Sequence, residues 1–308
     1  EPTRNNFYEI TKAIPQTGFQ FFGGSGFIQF YGKDGKQESS VEYLERNGYK
    51  VCCGAEEFEA AAPHTDKIVL YQECFRDTSA TDYVMDGRKP AGEVELPQML
   101  KYGMDFIGDE KPFFIMCEQG TIDWAAHLNR VLPMVNAVIE FDDAIKVAYE
   151  FYLEHPDETL IVVTADHNTG GMVAGVNGGS YNLKFKNYDY QRISMQAMQY
   201  ECQQMIKSGK EITWEFMKEY LQEKLGLYSA IPVSKSNDKA LQDAFHTTFV
   251  AKTSAQKKTL YTDLNDFVAR TFQVLDKITG IGWTTGSHTA DFVPVYAIGV
   301  GCEQFQGF

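Results

Sequence analysis

Lysine and arginine are in short supply, 28 residues against 42 aspartates and glutamates, which gives a formal net charge of −14. A surface for nucleic acid or anionic membrane needs clustered cations, so neither partner is expected. Phosphate remains open as a ligand, because bound metal ions reverse the sign of a site locally. Cysteine is scarce as well: Cys52, Cys53, Cys74, Cys117, Cys202 and Cys302 are the six in 308 residues, and no C-x-x-C pair occurs among them. That density excludes a disulfide framework, and the adjacent Cys52 and Cys53 are most simply packing residues on a strand. No apolar run approaches the length of a transmembrane helix. No G-x-x-x-x-G-K-[ST] phosphate loop is present, and Gly23-Gly24-Ser25-Gly26 fails as a nucleophile elbow because Phe27 stands where the last glycine is needed. There is no secretory signal, yet the chain begins at Glu1 without methionine, so an upstream segment, cleaved or simply not included, is expected.

What is present suits a large core. With 44% hydrophobic residues, the chain fits one big α/β domain with an insertion, or two domains. Phe19 to Phe22, Tyr49 to Cys53 and Lys67 to Tyr71 read as strands, and Val41 to Arg46 and Gln98 to Gly103 as helices. Thr159 to Thr164 (TLIVVT) is continuous and β-branched, as central parallel strands are. Strands alternating with helices predict a doubly wound, mostly parallel sheet flanked by helices. After Gly170-Gly171 the texture changes. Residues 193–206, 213–225 and 261–278 carry apolar positions at three- and four-residue spacing, with Gly209, Gly226 and Gly280 where helix ends want them. The expected organisation is a core over 1–175, a helical insertion over 176–280, and a return to the core over 281–308. The aromatics of the insertion, Trp214, Phe216 and Tyr220 among them, are expected to face its own small core.

The chain is organised around Phe113 to His127, FFIMCEQGTIDWAAH. Phe113 to Cys117 reads as a buried strand, and Glu118, Asp123 and His127 follow it where an α/β sheet presents its chemistry. Asp123 and His127 are four apart, so in a helix they either line a solvated face or project together and grip one cation. Pro133 is expected to open the next helix, whose apolar face carries Val138, Ile139, Ile145, Tyr149, Tyr152 and Leu153 up to His155-Pro156. Two further segments carry the same punctuation. Thr159 to Thr164 runs into Ala165-Asp166-His167, and WTTGSHT (283–289) places His288 just ahead of a last strand at 293–298. Asp123, His127 and His288 form one group, and two imidazoles with one carboxylate suit a zinc that keeps one coordination position open. Asp166 and His167 form a second group that is one or two ligands short, and Glu118 could serve a harder ion beside them. Two such ions can clamp the oxygens of a phosphoryl group, which implies hydrolysis of phosphate esters.

The order E-x4-D-x3-H, T-A-D-H and T-G-S-H-T, with a large insertion between the second and third, resembles the alkaline phosphatase family over most of the chain. The resemblance implies an alkaline-phosphatase-like fold with a crown-like insertion. It implies Asp123, His127 and His288 as ligands of a first zinc, Asp166 and His167 as ligands of a second, and Glu118 as a magnesium ligand. Arg4, in P-T-R-N-N-F-Y, resembles the phosphate-clamping arginine of that family, and its fork of donors suits two phosphate oxygens. Trp124 either shapes the mouth of the site or packs. Thr169 stands where some members have a histidine supporting the second zinc. In that family the nucleophilic serine or threonine, the aspartate bridging the second zinc and magnesium, and a magnesium-binding threonine precede the Arg4 stretch. The expectation is therefore an internal fragment with little activity of its own, lacking these groups and the usual C-terminal helix. The expected whole is a phosphate monoesterase working through a phosphoryl-enzyme intermediate, acting on small phosphomonoesters and releasing inorganic phosphate. A periplasmic or extracellular location and a homodimer are implied by the resemblance. A phosphodiesterase or sulfatase of the same superfamily, and a non-catalytic metal- or phosphate-binding fragment, are the alternatives. His64, His155 and His246 are assigned to surface or packing roles, and Asp82, Asp86 and Asp291 to turns or solvent.

Overall fold

Alternation of short apolar strands with amphipathic helices begins at once in the N-terminal third. A computed structural model describes residues 3–72, 83–86, 94–108, 111–176, 183–254, 257–258 and 263–306. Helix α1 (Phe7–Thr17) ends at Gly18, whose left-handed φ of 76° turns the chain into β1 (Phe21–Gly24). Helix α2 (Ser40–Arg46) starts from a capping box, in which the Ser39 side chain accepts from Glu42 N and the Glu42 carboxylate accepts from Ser39 N. It leads to β2 (Lys50–Cys53), then α3 (Gly54–Ala61), a helix that the sequence reading did not anticipate, and β3 (Ile68–Tyr71). The three strands are parallel in the order β1-β3-β2, with Phe21 and Lys50 both opposite Ile68. Side chains alternate across a strand, and here both faces are covered. Cys52, Ile68 and Leu70 pack with Phe58 and Met99 on one side, and Val51 and Val69 pack with Leu44 and Tyr49 on the other. Cys52 is thus the packing residue expected, while Cys74 and Asp82 lie outside the described residues.

Helix α4 (Leu96–Ile107) is twice as long as its expected core and packs against β1 and α6 (Val131–Glu154), with α5 (Gly120–His127) beside α6. Pro133 lies inside the first turn of α6, two residues after its opening. Much of the expected apolar face of α6 is exposed, namely Val138, Ile139, Tyr149 and Leu153.

Two strand expectations need correction. Phe113 to Cys117 forms no strand, and Phe114 and Met116 are 78% and 73% exposed. A strand exists only where a neighbour supplies backbone partners, and among the described residues none pairs with this segment. A cavity of about 880 Å³ lies along it, lined by Phe114, Ile115, Cys117, Leu160 and Val162 among others. The TLIVVT segment does form β4 (Leu160–Val163), but it pairs antiparallel with the last strand, and Leu160 and Val162 are exposed rather than sandwiched.

The remaining elements are β5 (Asn168–Thr169), β6 (Met172–Ala174), α7 (Met195–Lys207), α8 (Trp214–Leu225), α9 (Lys235–Phe245), β7 (Lys257–Lys258), β8 (Asp263–Leu264), α10 (Asp266–Thr279), β9 (Ile281–Trp283), β10 (His288–Thr289) and β11 (Tyr296–Gly299). Antiparallel pairs β6-β9 and β5-β10 return the chain from the helices to the segment after β4. The largest buried cluster is built from α7 to α10, around Met198, Leu221, Phe267 and Phe272, and reaches Val131 and Ile281 at its border. Trp214 and Tyr220 pack there as expected, whereas Phe216 is exposed. Two polar ties hold these helices. Arg130, which precedes α6, pairs with Asp276 of α10 at 2.7 Å, and Tyr188 Oη donates to the same carboxylate at 3.1 Å, all three buried. Asp86 lies in a short turn, as expected, and from there accepts from Ser194 N at 2.7 Å and Ser194 Oγ at 2.6 Å, anchoring the cap of α7. No helix among the described residues is long and apolar enough to cross a membrane.

Candidate metal centre

Helix α5 exists because its first turn is satisfied from outside. The buried Gln119 precedes it, and its Oε1 accepts from Thr121 N at 3.3 Å and from Thr121 Oγ1 at 2.7 Å. Its Nε2 donates to Glu140 Oε2 of α6 at 2.7 Å, which fixes the start of the helix. Asp123 then falls in the first turn, where the helix dipole favours an anion, and His127 in the last. Four residues apart on one face, they meet with Asp123 Oδ1 3.4 Å from His127 Nε2.

The end of α5 is tied to the hairpin that carries His288. His127 Nδ1 donates to Gly286 O at 2.7 Å, so the neutral ring carries its lone pair at Nε2, turned toward Asp123. Asn129 adopts a left-handed φ of 58°, and its amide nitrogen, oriented toward two carbonyls, donates to Ala126 O at 3.0 Å and Thr285 O at 2.9 Å. Gly170 donates its N–H to Ser287 O at 3.0 Å and accepts from Thr284 N at 3.1 Å. Its φ of 80° is a conformation only glycine takes without strain, and a Cβ there would stand 2.8 Å from Ala126 O and from the Trp283 ring. These bonds seat His288 on β10 directly opposite Thr169 on β5. Asp291 closes the same hairpin, accepting from Thr289 Oγ1 at 2.7 Å and Asn168 Nδ2 at 2.9 Å, and those bonds hold its carboxyl below the usual carboxylate range.

His288 therefore reaches across 160 residues of sequence to Asp123 and His127. One ligand atom from each of the three lies within 4.8 Å of the others. The His288 ring is 5.1 Å from that of His127 and stacks on that of His167 at 3.4 Å, with 20° between the planes. His167 Nε2 is 3.2 Å from Asp166 Oδ2. The first expected group thus converges, and half of the second is in contact with it. Three donors of this kind suit a divalent cation of zinc type, two imidazole nitrogens and a carboxylate leaving one position open.

Two expected residues stay apart. Glu118 is exposed on the irregular approach to α5 and is not part of the cluster. Arg4 is exposed in a turn before α1, with no hydrogen bond or ion pair to another described residue. Sequence reasoning noticed Thr169 only as support for the second zinc, but its hydroxyl touches Asp123 as well. It missed Asn129, and it read Gly170-Gly171 only as a change of texture, although a Gly-Gly pair soon after T-A-D-H is a visible turn signal.

A sequence model described as alkaline phosphatase matches residues 32–308, which contain all three donor segments. The chain belongs to the alkaline phosphatase family. Alkaline phosphatase 4 of Bacillus subtilis is 30% identical over 200 residues, which is 65% of this chain and 37% of that protein. The alkaline phosphatase of Schizosaccharomyces pombe is 24% identical over 232 residues, 71% of this chain and 38% of that one. The chain therefore spans about two-fifths of the length of the curated relatives it matches. Among solved structures, the cold-active alkaline phosphatase of a psychrophilic Shewanella superposes with a TM-score of 0.73 at 23% identity, covering 100% of this chain and 66% of that one. The alkaline phosphatase of the Antarctic bacterium TAB5 gives 0.54 at 21% identity, covering 97% and 58%. At these identities the structural likeness speaks to an alkaline-phosphatase-like α/β fold.

Proposed function

We propose that this chain supplies metal ligands to a phosphate monoester hydrolase of the alkaline phosphatase type. The observation that carries the reading is the convergence of Asp123 and His127 of α5 with His288 of β10, two segments far apart in the chain, inside the residues that match the family. Asp123, His127 and His288 hold one zinc, Asp166 and His167 contribute to a second, and Glu118 contributes to a magnesium. The magnesium is supported by a mutant of the TAB5 enzyme solved with Mg bound in its M3 site. Bound as a pair, such ions stabilise charge on the attacking and leaving oxygens and lower the pKa of a water.

The chain's own residues prepare that site without help. Gly286 O fixes the His127 ring through Nδ1, and the Thr284–Ser287 turn, pinned to Gly170, aims His288. Arg4 is our candidate for the phosphate clamp, and with no protein partner among the described residues its donors stay available for two phosphate oxygens. Orthophosphate is the expected product and ligand. The monoester is favoured over a diester because its additional charged oxygen gives the arginine more to hold. We place the protein in the periplasm or outside the cell, as a homodimer, on the family resemblance that the sequence carries.

The test uses the full-length protein at alkaline pH on p-nitrophenyl phosphate and bis(p-nitrophenyl) phosphate, before and after EDTA. Monoester turnover that EDTA abolishes and zinc restores is the expected result. Turnover indifferent to chelation, or faster on the diester, overturns the proposal.

A further inference from the structure

Thr169 is where the two donor groups meet. It is 9% exposed, its backbone is held in the β5-β10 pairing opposite His288, and its Oγ1 lies 2.6 Å from Asp123 Oδ1 and 3.2 Å from His167 Nδ1. A threonine hydroxyl owns a single proton. Asp123 as a carboxylate has none to give, so the hydroxyl donates to it, and 2.6 Å is the length of a charge-assisted O–H···O bond. The hydroxyl lone pairs are then left for His167, whose Nδ1 must carry the proton that it shares with Thr169. The chain of donation therefore has one direction: from His167 Nδ1–H to Thr169 Oγ1, and from Thr169 Oγ1–H to Asp123 Oδ1.

That direction decides which nitrogen of His167 can hold a cation. With the proton on Nδ1, the neutral ring presents its lone pair at Nε2, on the side of Asp166. Asp123 in turn is steadied at the oxygen that faces His127 Nε2. We infer that Thr169 is a positioning residue that fixes the His167 tautomer and joins the two cation-binding groups in one hydrogen-bond chain. The inference rests on the metal-binding reading above and adds that the groups do not fill independently. An ion taken by Asp123 alters the bond that Asp123 accepts from Thr169, and through Thr169 the ordering of His167.

Three proteins test it: the unaltered chain, Thr169→Val, which keeps the branched shape but neither donates nor accepts, and Thr169→Ser, which keeps the hydroxyl. Zinc titration against a chromophoric chelator should show two coupled events in the unaltered chain. Thr169→Val should weaken both by roughly 10–100-fold, the cost of removing a partner that orients a ligand, and Thr169→Ser should recover most of the loss. The second readout needs no metal and no activity. With 15N-labelled histidine, the neutral His167 ring should be protonated at Nδ1 and become a tautomer mixture in Thr169→Val. A His167 ring protonated at Nε2 in the unaltered, metal-free protein overturns the inference by itself. Zinc affinity unchanged in Thr169→Val overturns it too, while leaving the metal-binding reading intact. An unaltered protein that takes up no zinc at all sinks both. If Thr169→Val fails to fold, Thr169→Ser and the tautomer of the unaltered protein still decide the question.

Discussion

Replacing Gly170 by alanine perturbs the joint on which the metal centre hangs, because its backbone holds both ends of the turn that precedes His288. Two costs are readable from the structure. Alanine at φ +80° sits in the left-handed region, which costs an L-residue about 1–2 kcal/mol. The new methyl would also stand 2.8 Å from Ala126 O and 2.8 Å from Trp283 Cε3, neither of which is the free end of a flexible side chain. Overpacking of that kind costs about 1–3 kcal/mol when the surroundings must shift. Together they predict a loss of about 2–5 kcal/mol, a large fraction of the about 5–15 kcal/mol that stabilises a typical protein. Relief would come from moving the 284–287 turn, so His288 should leave the cluster and zinc affinity should fall along with stability. The assay is urea unfolding of Gly170→Ala beside the unaltered chain, followed by zinc titration of both. A change in unfolding free energy below about 0.5 kcal/mol, the size of an ordinary surface substitution, together with unaltered zinc affinity, would refute the reasoning.

Other outcomes follow from the same structure. Arg130→Ala strands the buried Asp276 carboxylate without its charged partner and should cost about 3–5 kcal/mol in urea unfolding, and a loss under about 1 kcal/mol would contradict the pairing as drawn. The Ser39 N–H and hydroxyl depress the Glu42 pKa below its usual 4.5, so its contribution to folding is complete above that value and disappears as pH falls through the depressed pKa. The melting-temperature gap between the unaltered protein and Glu42→Ala should therefore close on acidification, and a gap that widens below pH 4.5 would reverse the sign. Burial, with the Glu118 charge second, pushes the Cys117 thiol up to about 11. Its alkylation by iodoacetamide should accordingly be slow at neutral pH and accelerate toward that value, and rapid neutral labelling would show the thiol to be open to solvent.

The legible part of this protein was local. Asp123 and His127 could be paired from their spacing, because an α-helix returns to the same face every four residues wherever it forms, and Gln119-Gly120-Thr121 can start one. The β1, β2 and β3 segments were placed within two residues, since each is a short apolar run with both faces later covered. Phe113 to Cys117 looked equally convincing and is not a strand, because apolar composition describes a preference for burial and says nothing about whether a backbone partner stands alongside. Likewise α3 and α9 escaped notice. Each is a short helix, and eight to eleven residues give a weak periodic signal.

By itself the sequence determined which side chains could do chemistry: acids and imidazoles in three short motifs, in an order that resembles one family. Spacing along the chain could not say that His288 stacks on His167, that Gly170 must bend left-handed to permit it, or that one threonine proton joins Asp123 to His167. Those facts depend on angstrom-scale distances between segments 40 to 160 residues apart. Such distances are set by the packing of α5, α6 and the β5-β10 hairpin, and no local propensity encodes them.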